Sequence, residues 1–97
     1  MILSFGDAAT DDLYNGINSR ASRTVPIQVW SAAARKLDML NAARSLGDLL
    51  APSGNRLERL KGNLADFYSI RINDQYRLIF KWLNGNAEMV RVADYHK

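Results

Sequence analysis

The segment DFYSIRINDQYRLIFKWLNGNAEMVRVADYH, residues 66–96, decides the fold of this chain. Apolar and polar residues alternate along it, which is the period of a β-strand that buries one of its two faces. Asn73-Asp74 and Asn84-Gly85 interrupt the alternation with residue types that favour turns. The segment therefore predicts three antiparallel strands that are joined by two hairpins.

The side chains of the predicted sheet divide into an apolar face and a basic face. A two-residue turn at Asn84-Gly85 would place Arg77 and Lys81 on the valine side of the last strand. A three-residue loop with Gly85 in the left-handed conformation keeps the apolar residues together, so we expect odd-numbered loops in both hairpins. The apolar face then holds Tyr68, Ile70, Ile72, Leu78, Phe80, Val90 and Val92. The basic face holds Arg71, Arg77, Lys81 and Arg91, with Phe67, Ile79 and Met89 between them.

The first half of the chain predicts helices that cover the apolar face and leave the basic face open. A short apolar run at residues 2–5 predicts an edge strand, and Asp7 predicts the N-cap of a helix through about Ile17. Pro26 suits the opening of a second helix, which continues to about Ala43 because apolar residues recur at helical spacing.

Two connecting segments complete the predicted fold. Residues 18–25 are polar and basic, and we expect an exposed, mobile linker there. Residues 57–60 predict a short strand or extended segment leading into the sheet. The order of elements predicts an α+β fold, with two N-terminal helices packed on one face of a small antiparallel sheet. Residues 1–97 form one domain in this interpretation.

Composition narrows the functional classes. The chain has no cysteine, which excludes disulfides and thiolate metal sites and favours the cytoplasm; a single histidine disfavours a protein-only zinc site. The N-terminus lacks the features of a secretion signal, and no apolar run is long enough to span a bilayer. Residues 1–55 hold five cations and five acids, whereas residues 56–97 hold eight cations and five acids, so the net charge of +3 lies in the second part. This asymmetry suggests a polyanionic partner.

The basic face suits the phosphates of single-stranded nucleic acid, because guanidinium groups bind phosphate and interleaved aromatic residues stack on bases. Solvated strand positions explain the same periodicity equally well. His96 is either a surface residue or a general acid or base for a phosphodiester. Tyr95 shares the parity of Arg77 and reaches the basic face, whereas Asp94 has the opposite parity and is expected to hold the chain end by hydrogen bonds.

Three segments, GNRLERLKGN (54–63), YSIRINDQYRLIFKW (68–82) and VADYH (92–96), resemble the HigB family of bacterial toxins in the RelE/ParE superfamily, also described as plasmid maintenance system killer proteins. The resemblance covers essentially the whole chain and implies a RelE-like fold. It implies a ribosome-dependent mRNA endonuclease that needs no cofactor or metal and is neutralised by a HigA-type helix-turn-helix antitoxin. Its partners would be this antitoxin, the ribosome and mRNA, with operator DNA reached only through the antitoxin and no membrane involved.

The resemblance also implies the site residues. The family's catalytic positions fall on Lys61, Arg77, Asp94, Tyr95 and His96. Some members have a histidine three residues before the lysine, where this chain has Glu58, so either Glu58 or His96 is expected to accept the proton. In this mechanism the RNA 2′-hydroxyl attacks the adjacent phosphate while Arg77 and Lys61 stabilise the added charge, and Tyr95 positions a base. The remaining RNA contacts are expected from Arg56, Arg71, Lys81 and Arg91.

Two other functions compete with this interpretation. A ParE-like toxin has the same fold but acts on DNA gyrase. A catalytically weak homologue would bind RNA without cutting it.

Overall fold

The computed structural model describes residues 1–94, which form two α-helices followed by a four-stranded sheet. The helices are α1 (Ala8–Tyr14) and α2 (Ile27–Ala42). The strands are β1 (Glu58–Arg59), β2 (Phe67–Arg71), β3 (Tyr76–Leu83) and β4 (Asn86–Asp94). They follow one another across the sheet in chain order, and every neighbouring pair is antiparallel. The predicted α+β class, the three-stranded meander and the short strand near residue 58 are confirmed.

The N-terminal segment lies along the free edge of β4. Ile2 forms a parallel bridge with Ala87, and Phe5 forms one with Val90. Asp7 then caps α1, since its carboxylate accepts a hydrogen bond from the backbone N–H of Thr10 at 2.9 Å. The predicted edge segment and N-cap are confirmed, although α1 ends at Tyr14, before the predicted Ile17. The helix α2 begins one residue after Pro26, as the proline's fixed φ and missing N–H favour.

Both helices contribute to one apolar core against the sheet. The buried helical residues are Leu13, Val29, Ala33, Leu37 and Leu40, and the buried sheet residues include Ile70, Leu78, Phe80, Ala87 and Val90. The predicted apolar face is therefore the covered one. Tyr68 and Val92, at its margins, are half-buried and pack against this cluster.

The two hairpins keep the faces in register by different means. Ile72 and Tyr76 are hydrogen-bonded across the first hairpin, so its loop has the predicted odd number of residues, 73–75. Leu83 pairs with Asn86 across the second, so the expected three-residue loop there is wrong: only Asn84 and Gly85 form the turn, both with positive φ.

An extra residue in β4 compensates for this even-numbered turn. The pairing register shifts between Ile79 and Lys81, and Met89 adopts a φ of 54° at the shift. Two residues therefore oppose one at this β-bulge. Ala87 and Val90, three positions apart, consequently both lie buried on the helix-covered face. The faces are those predicted, but a bulge rather than the loop maintains them.

Residues 18–25 make more internal contacts than their polarity predicted. Ser22 is fully buried, and its hydroxyl donates to the carbonyl of Ile17 and accepts from the backbone N–H of Ser19. Val25 is also buried, and its carbonyl accepts a hydrogen bond from the Trp30 indole. The expectation of an exposed linker is wrong at Ser22 and Val25, because short-range hydrogen bonds of Ser and Thr side chains organise the turn locally. The expectation of exposure holds for Asn18, Arg20, Arg23 and Thr24, which are exposed.

Candidate functional site

The clearest pairing of two predicted site residues joins Glu58 of β1 to Arg77 of β3. An Nη2 atom of Arg77 lies 3.4 Å from Oε1 of Glu58. Glu58 pairs with Ser69, and parity therefore places it on the basic face with Arg77. The structure thus sets a carboxylate beside the guanidinium to which the family resemblance assigns phosphate chemistry.

Further hydrogen bonds hold Arg77 in place. Its Nε donates to the hydroxyl of Ser69 at 2.8 Å, and its Nη2 donates to the backbone carbonyl of Arg56 at 2.6 Å. Arg77 is only 7% exposed, and Ser69 is completely buried. A buried guanidinium is tolerated because these acceptors replace the water it loses. The expectation that the basic face lies open is therefore wrong around Arg77, where the loop that precedes β1 covers it.

Two of the other three strand cations have local partners. Arg71, which pairs with Arg77 across β2 and β3, forms an ion pair with Asp74 of the hairpin loop. Lys81 lies over the ring of Phe67, with Nζ 5.3 Å from the ring centroid, in a cation–π contact. The ion pair with Asp74 and the contact with the Phe67 ring thus offset part of the repulsion between neighbouring cations of the sheet.

Arg91 lies at the centre of β4 opposite Ile79, and its side chain passes close to Gly6. A Cβ at Gly6 would stand 3.3 Å from Cδ of Arg91 and 2.8 Å from the Met89 carbonyl. Glycine is therefore required where the N-terminal segment crosses the bulge. This approach positions Arg91 at the β4 margin of the basic face.

Lys61 follows β1 at the end of the sheet opposite to Arg77. The backbone N–H of Leu60 donates to Phe67, which itself pairs with Lys81, so Lys61 follows at the Lys81 end. Four residues of β3, about 13 Å at roughly 3.3 Å per residue, separate Arg77 from Lys81. Lys61 is exposed. Glu58 and Arg77 are thus in contact, whereas Lys61 lies towards the other end of the sheet.

Asp94 ends β4 and pairs with Tyr76, which places it on the parity of the helix-covered face. One of its carboxylate oxygens accepts a hydrogen bond from the Gln75 side chain at 3.1 Å. This agrees with the predicted structural role at the chain end. The Arg56 side chain is exposed, although its carbonyl holds Arg77. Tyr95 and His96 lie outside the described residues.

Two residues at the site had no predicted role. Strand parity places Ser69 on the basic face with Phe67 and Arg71, and Pro52 and Gly54 indicate a loop around Asn55, but neither pattern gives these two residues a role. The available signal for Ser69 is its place between the apolar strand residues Tyr68 and Ile70, since a hydroxyl buried there needs a partner. For Asn55, no local pattern indicates burial.

The part of the chain that the structure describes contains no helix long and apolar enough to cross a membrane.

The family profile described as "RelE-like toxin of type II toxin-antitoxin system HigB" matches residues 3–96. Toxin HigB-1 of Vibrio cholerae is 44% identical over 97 residues, covering 100% of this chain and 99% of the relative. The protein named Endoribonuclease HigB from Proteus vulgaris is 29% identical over 72 residues, covering 74% of this chain and 77% of the relative.

Solved structures of other toxins have the same fold. The YoeB–YefM complex from Staphylococcus aureus contains a chain that superposes with a TM-score of 0.60 at 18% identity, covering 100% of this chain and 99% of that one. The YoeB dimer from the same organism superposes with a TM-score of 0.59, covering 99% of this chain and 98% of that one. At this identity the likeness concerns the fold alone, which is RelE-like. The family match and the full-length relative show that this chain belongs to the HigB family of RelE-like toxins of type II toxin–antitoxin systems.

Proposed function

We propose that this toxin is a metal-independent endoribonuclease that cuts mRNA on the ribosome and is neutralised by a HigA-type antitoxin in the cytoplasm. The observation that carries the proposal is the fixed Glu58–Arg77 pair on the basic face of a HigB-family chain. The relative from Proteus vulgaris, which is named an endoribonuclease, supports the same class of reaction. The antitoxin would reach operator DNA, and the toxin itself would contact the ribosome and mRNA.

In the proposed reaction, the 2′-oxygen of RNA attacks the adjacent phosphorus and forms a 2′,3′-cyclic phosphate. Glu58 accepts the proton of the 2′-hydroxyl, and His96 donates a proton to the departing 5′-oxygen as the phosphorus–oxygen bond breaks. Arg77 and Lys61 stabilise the charge that develops on the phosphoryl oxygens. Tyr95 stacks on a base, and Asp94 holds the chain end that carries Tyr95 and His96.

The assignment of Glu58 as the base rests on its position. Its carboxylate lies 3.4 Å from the guanidinium that would face the phosphate, and its side chain is 40% exposed, so a substrate hydroxyl can reach it. Arg77 is fixed in advance by Ser69 and Arg56, which lowers the reorganisation needed when charge develops. Arg56, Arg71, Lys81 and Arg91 would contact flanking phosphates, because they surround this pair on two sides.

The experiment is primer extension on mRNA bound to purified ribosomes after addition of the wild-type protein, Lys61→Ala or His96→Ala. We expect cuts with the wild type and a loss of about 10²-fold or more in each variant, the usual range for a charge-stabilising or acid–base group. Arg59→Ala is the matched control, since Arg59 is an exposed cation beside Glu58 whose strand parity faces the other way. Full cleavage by both site variants would refute the assignment.

The two competing functions give different outcomes in parallel assays. Loss of gyrase supercoiling without mRNA cuts would identify a ParE-like activity. Salt-dependent RNA binding by the wild type without any product would identify a non-cleaving homologue.

A further inference from the structure

We propose that Asn55 is a positioning residue, which acts through the carbonyl of Arg56 to hold the guanidinium of Arg77 in its catalytic orientation. The proposal rests on the function proposed above, and it concerns a residue that has no contact with the substrate in that mechanism. It assigns a functional role to the loop before β1, which would otherwise be a simple connection.

Asn55 is a polar residue in the loop before β1, yet it is completely buried. Its Nδ2 donates to the carbonyls of Leu49 and Ala51, at 3.2 and 3.4 Å. Its Oδ1 accepts from Nζ of Lys36 on α2 at 2.5 Å. The amide is therefore tied to two carbonyls of the preceding loop and to one helix. A buried amide with this many partners fixes the position of its own backbone.

The next residue connects this anchor to the site. Arg56 has φ 46° and ψ 55°, the left-handed conformation, which a non-glycine residue adopts only when its surroundings stabilise it. Here the Asn55 side chain holds the chain on one side. On the other side, the Arg56 carbonyl accepts the 2.6 Å hydrogen bond from Nη2 of Arg77. The carbonyl faces Arg77 because the strained backbone is held at both ends.

Glu58, which also contacts Arg77, belongs to the same segment. Glu58 follows Arg56 by two residues, so a shift of the loop moves the carboxylate and the carbonyl together. Ser69 holds Nε, so the hydrogen bond from Nη2 to the Arg56 carbonyl is the contact through which the loop acts on the rest of the guanidinium. A misplacement of about 1 Å is enough to reduce a rate by roughly 10²-fold when charge stabilisation depends on fixed geometry.

The test compares Asn55→Ala with Leu13→Ala, a core substitution on α1 away from the loop. Each variant is assayed for kcat and KM on ribosome-bound mRNA at a temperature where circular dichroism shows it folded. In parallel, the Nη–Hη signals of Arg77 are followed by NMR, since Nη2 donates to the Arg56 carbonyl, and the spectrum of Arg77→Lys identifies them. We expect Asn55→Ala to lower kcat by about 10²-fold with KM little changed, and to speed exchange of the Arg77 Hη protons. Leu13→Ala should lower the melting temperature and leave both readouts as in the wild type.

Several outcomes would overturn the proposal. These are an unchanged kcat in folded Asn55→Ala, a kcat that falls while the Arg77 signal keeps its slow exchange, or an equal fall in Leu13→Ala. If Asn55→Ala does not fold, Lys36→Met replaces it as the test. This variant removes one hydrogen bond to Asn55 at a half-buried position, so it must also speed exchange of the Arg77 protons. An unchanged exchange rate in folded Lys36→Met would refute the proposal. If the wild type cuts no mRNA, the proposed function fails, but the NMR comparison still tests whether Asn55 positions Arg77.

Discussion

Replacement of Glu58 by glutamine separates a catalytic role of this carboxylate from a purely structural one. The amide keeps the size and shape of the side chain but cannot accept the proton of the 2′-hydroxyl. Arg77 keeps its hydrogen bonds to the Ser69 hydroxyl and the Arg56 carbonyl, so the substitution leaves no buried guanidinium without a partner. A structural role therefore predicts only a small loss of stability, whereas a catalytic role predicts a large loss of cleavage rate.

The structural loss should be small. The pair is 3.4 Å long and the Glu58 side chain is 40% exposed, so solvent screens the attraction. Ion pairs of this exposure contribute about 0.2–1 kcal/mol to the free energy of unfolding. For a chain of this size, a loss of about 0.5 kcal/mol lowers the melting temperature by roughly 2–4 °C. Glu58→Gln should remain folded at 25 °C.

The catalytic loss should be large, because a positioned general base contributes about 10²–10⁴-fold to a rate. We therefore expect Glu58→Gln to cut ribosome-bound mRNA at least about 10²-fold more slowly than the wild type, in single-turnover assays with saturating protein. RNA binding should be equal or tighter, since a negative charge beside the phosphate site has been removed.

The control is Glu88→Gln, which removes a carboxylate on the parity of the basic face at the Lys81 end of the sheet, away from Arg77. It should cleave at the wild-type rate. A Glu58→Gln protein that is folded and cleaves as fast as the wild type would refute the assignment of Glu58 as the base. The carboxylate would then serve only to hold Arg77.

Substitutions at three other positions test the structure. Arg77→Lys should lower the free energy of unfolding by about 1–3 kcal/mol in urea titrations, because one ammonium cannot satisfy the buried acceptors that the guanidinium fork reaches; equal stability would contradict this. At the bulge, where φ is 54°, Met89→Gly should be neutral or stabilising and Met89→Val should cost about 1–2 kcal/mol by thermal unfolding, and the reverse order would contradict the bulge. Burial lowers the pKa of Lys36, and the charges of Arg35 and Arg71 lower it further. As the pH rises, the folded state therefore loses this proton before the unfolded state does. The free energy of unfolding should then increase with pH from the pKa of folded Lys36 up to about 10.4, the ordinary lysine value. Lys36→Met should flatten that rise in unfolding measured across this interval, and an unchanged slope would contradict the assignment.

Much of the architecture could be predicted from local patterns. Alternation of period two assigned the faces of β2, β3 and β4, and Asp7 identified the start of α1, because both signals act over a few neighbouring residues. The length of the second hairpin loop could not be predicted in this way. Asn84-Gly85 favours a two-residue turn by its own conformational preferences, and only the bulge at Met89 reconciles this turn with burial of Val90.

The sequence by itself determined the α+β order of elements, the set of cations on one side of the sheet and the motifs that the HigB family shares. Only the tertiary structure decided which of these cations is buried and which acid lies beside it. Glu58 and Arg77 are nineteen positions apart, and their contact depends on β2 lying between β1 and β3. Asn55 and Lys36 are equally distant in the chain, and they meet because the loop before β1 folds back onto α2. Contacts between distant residues are set by packing of whole elements, which no short-range pattern encodes.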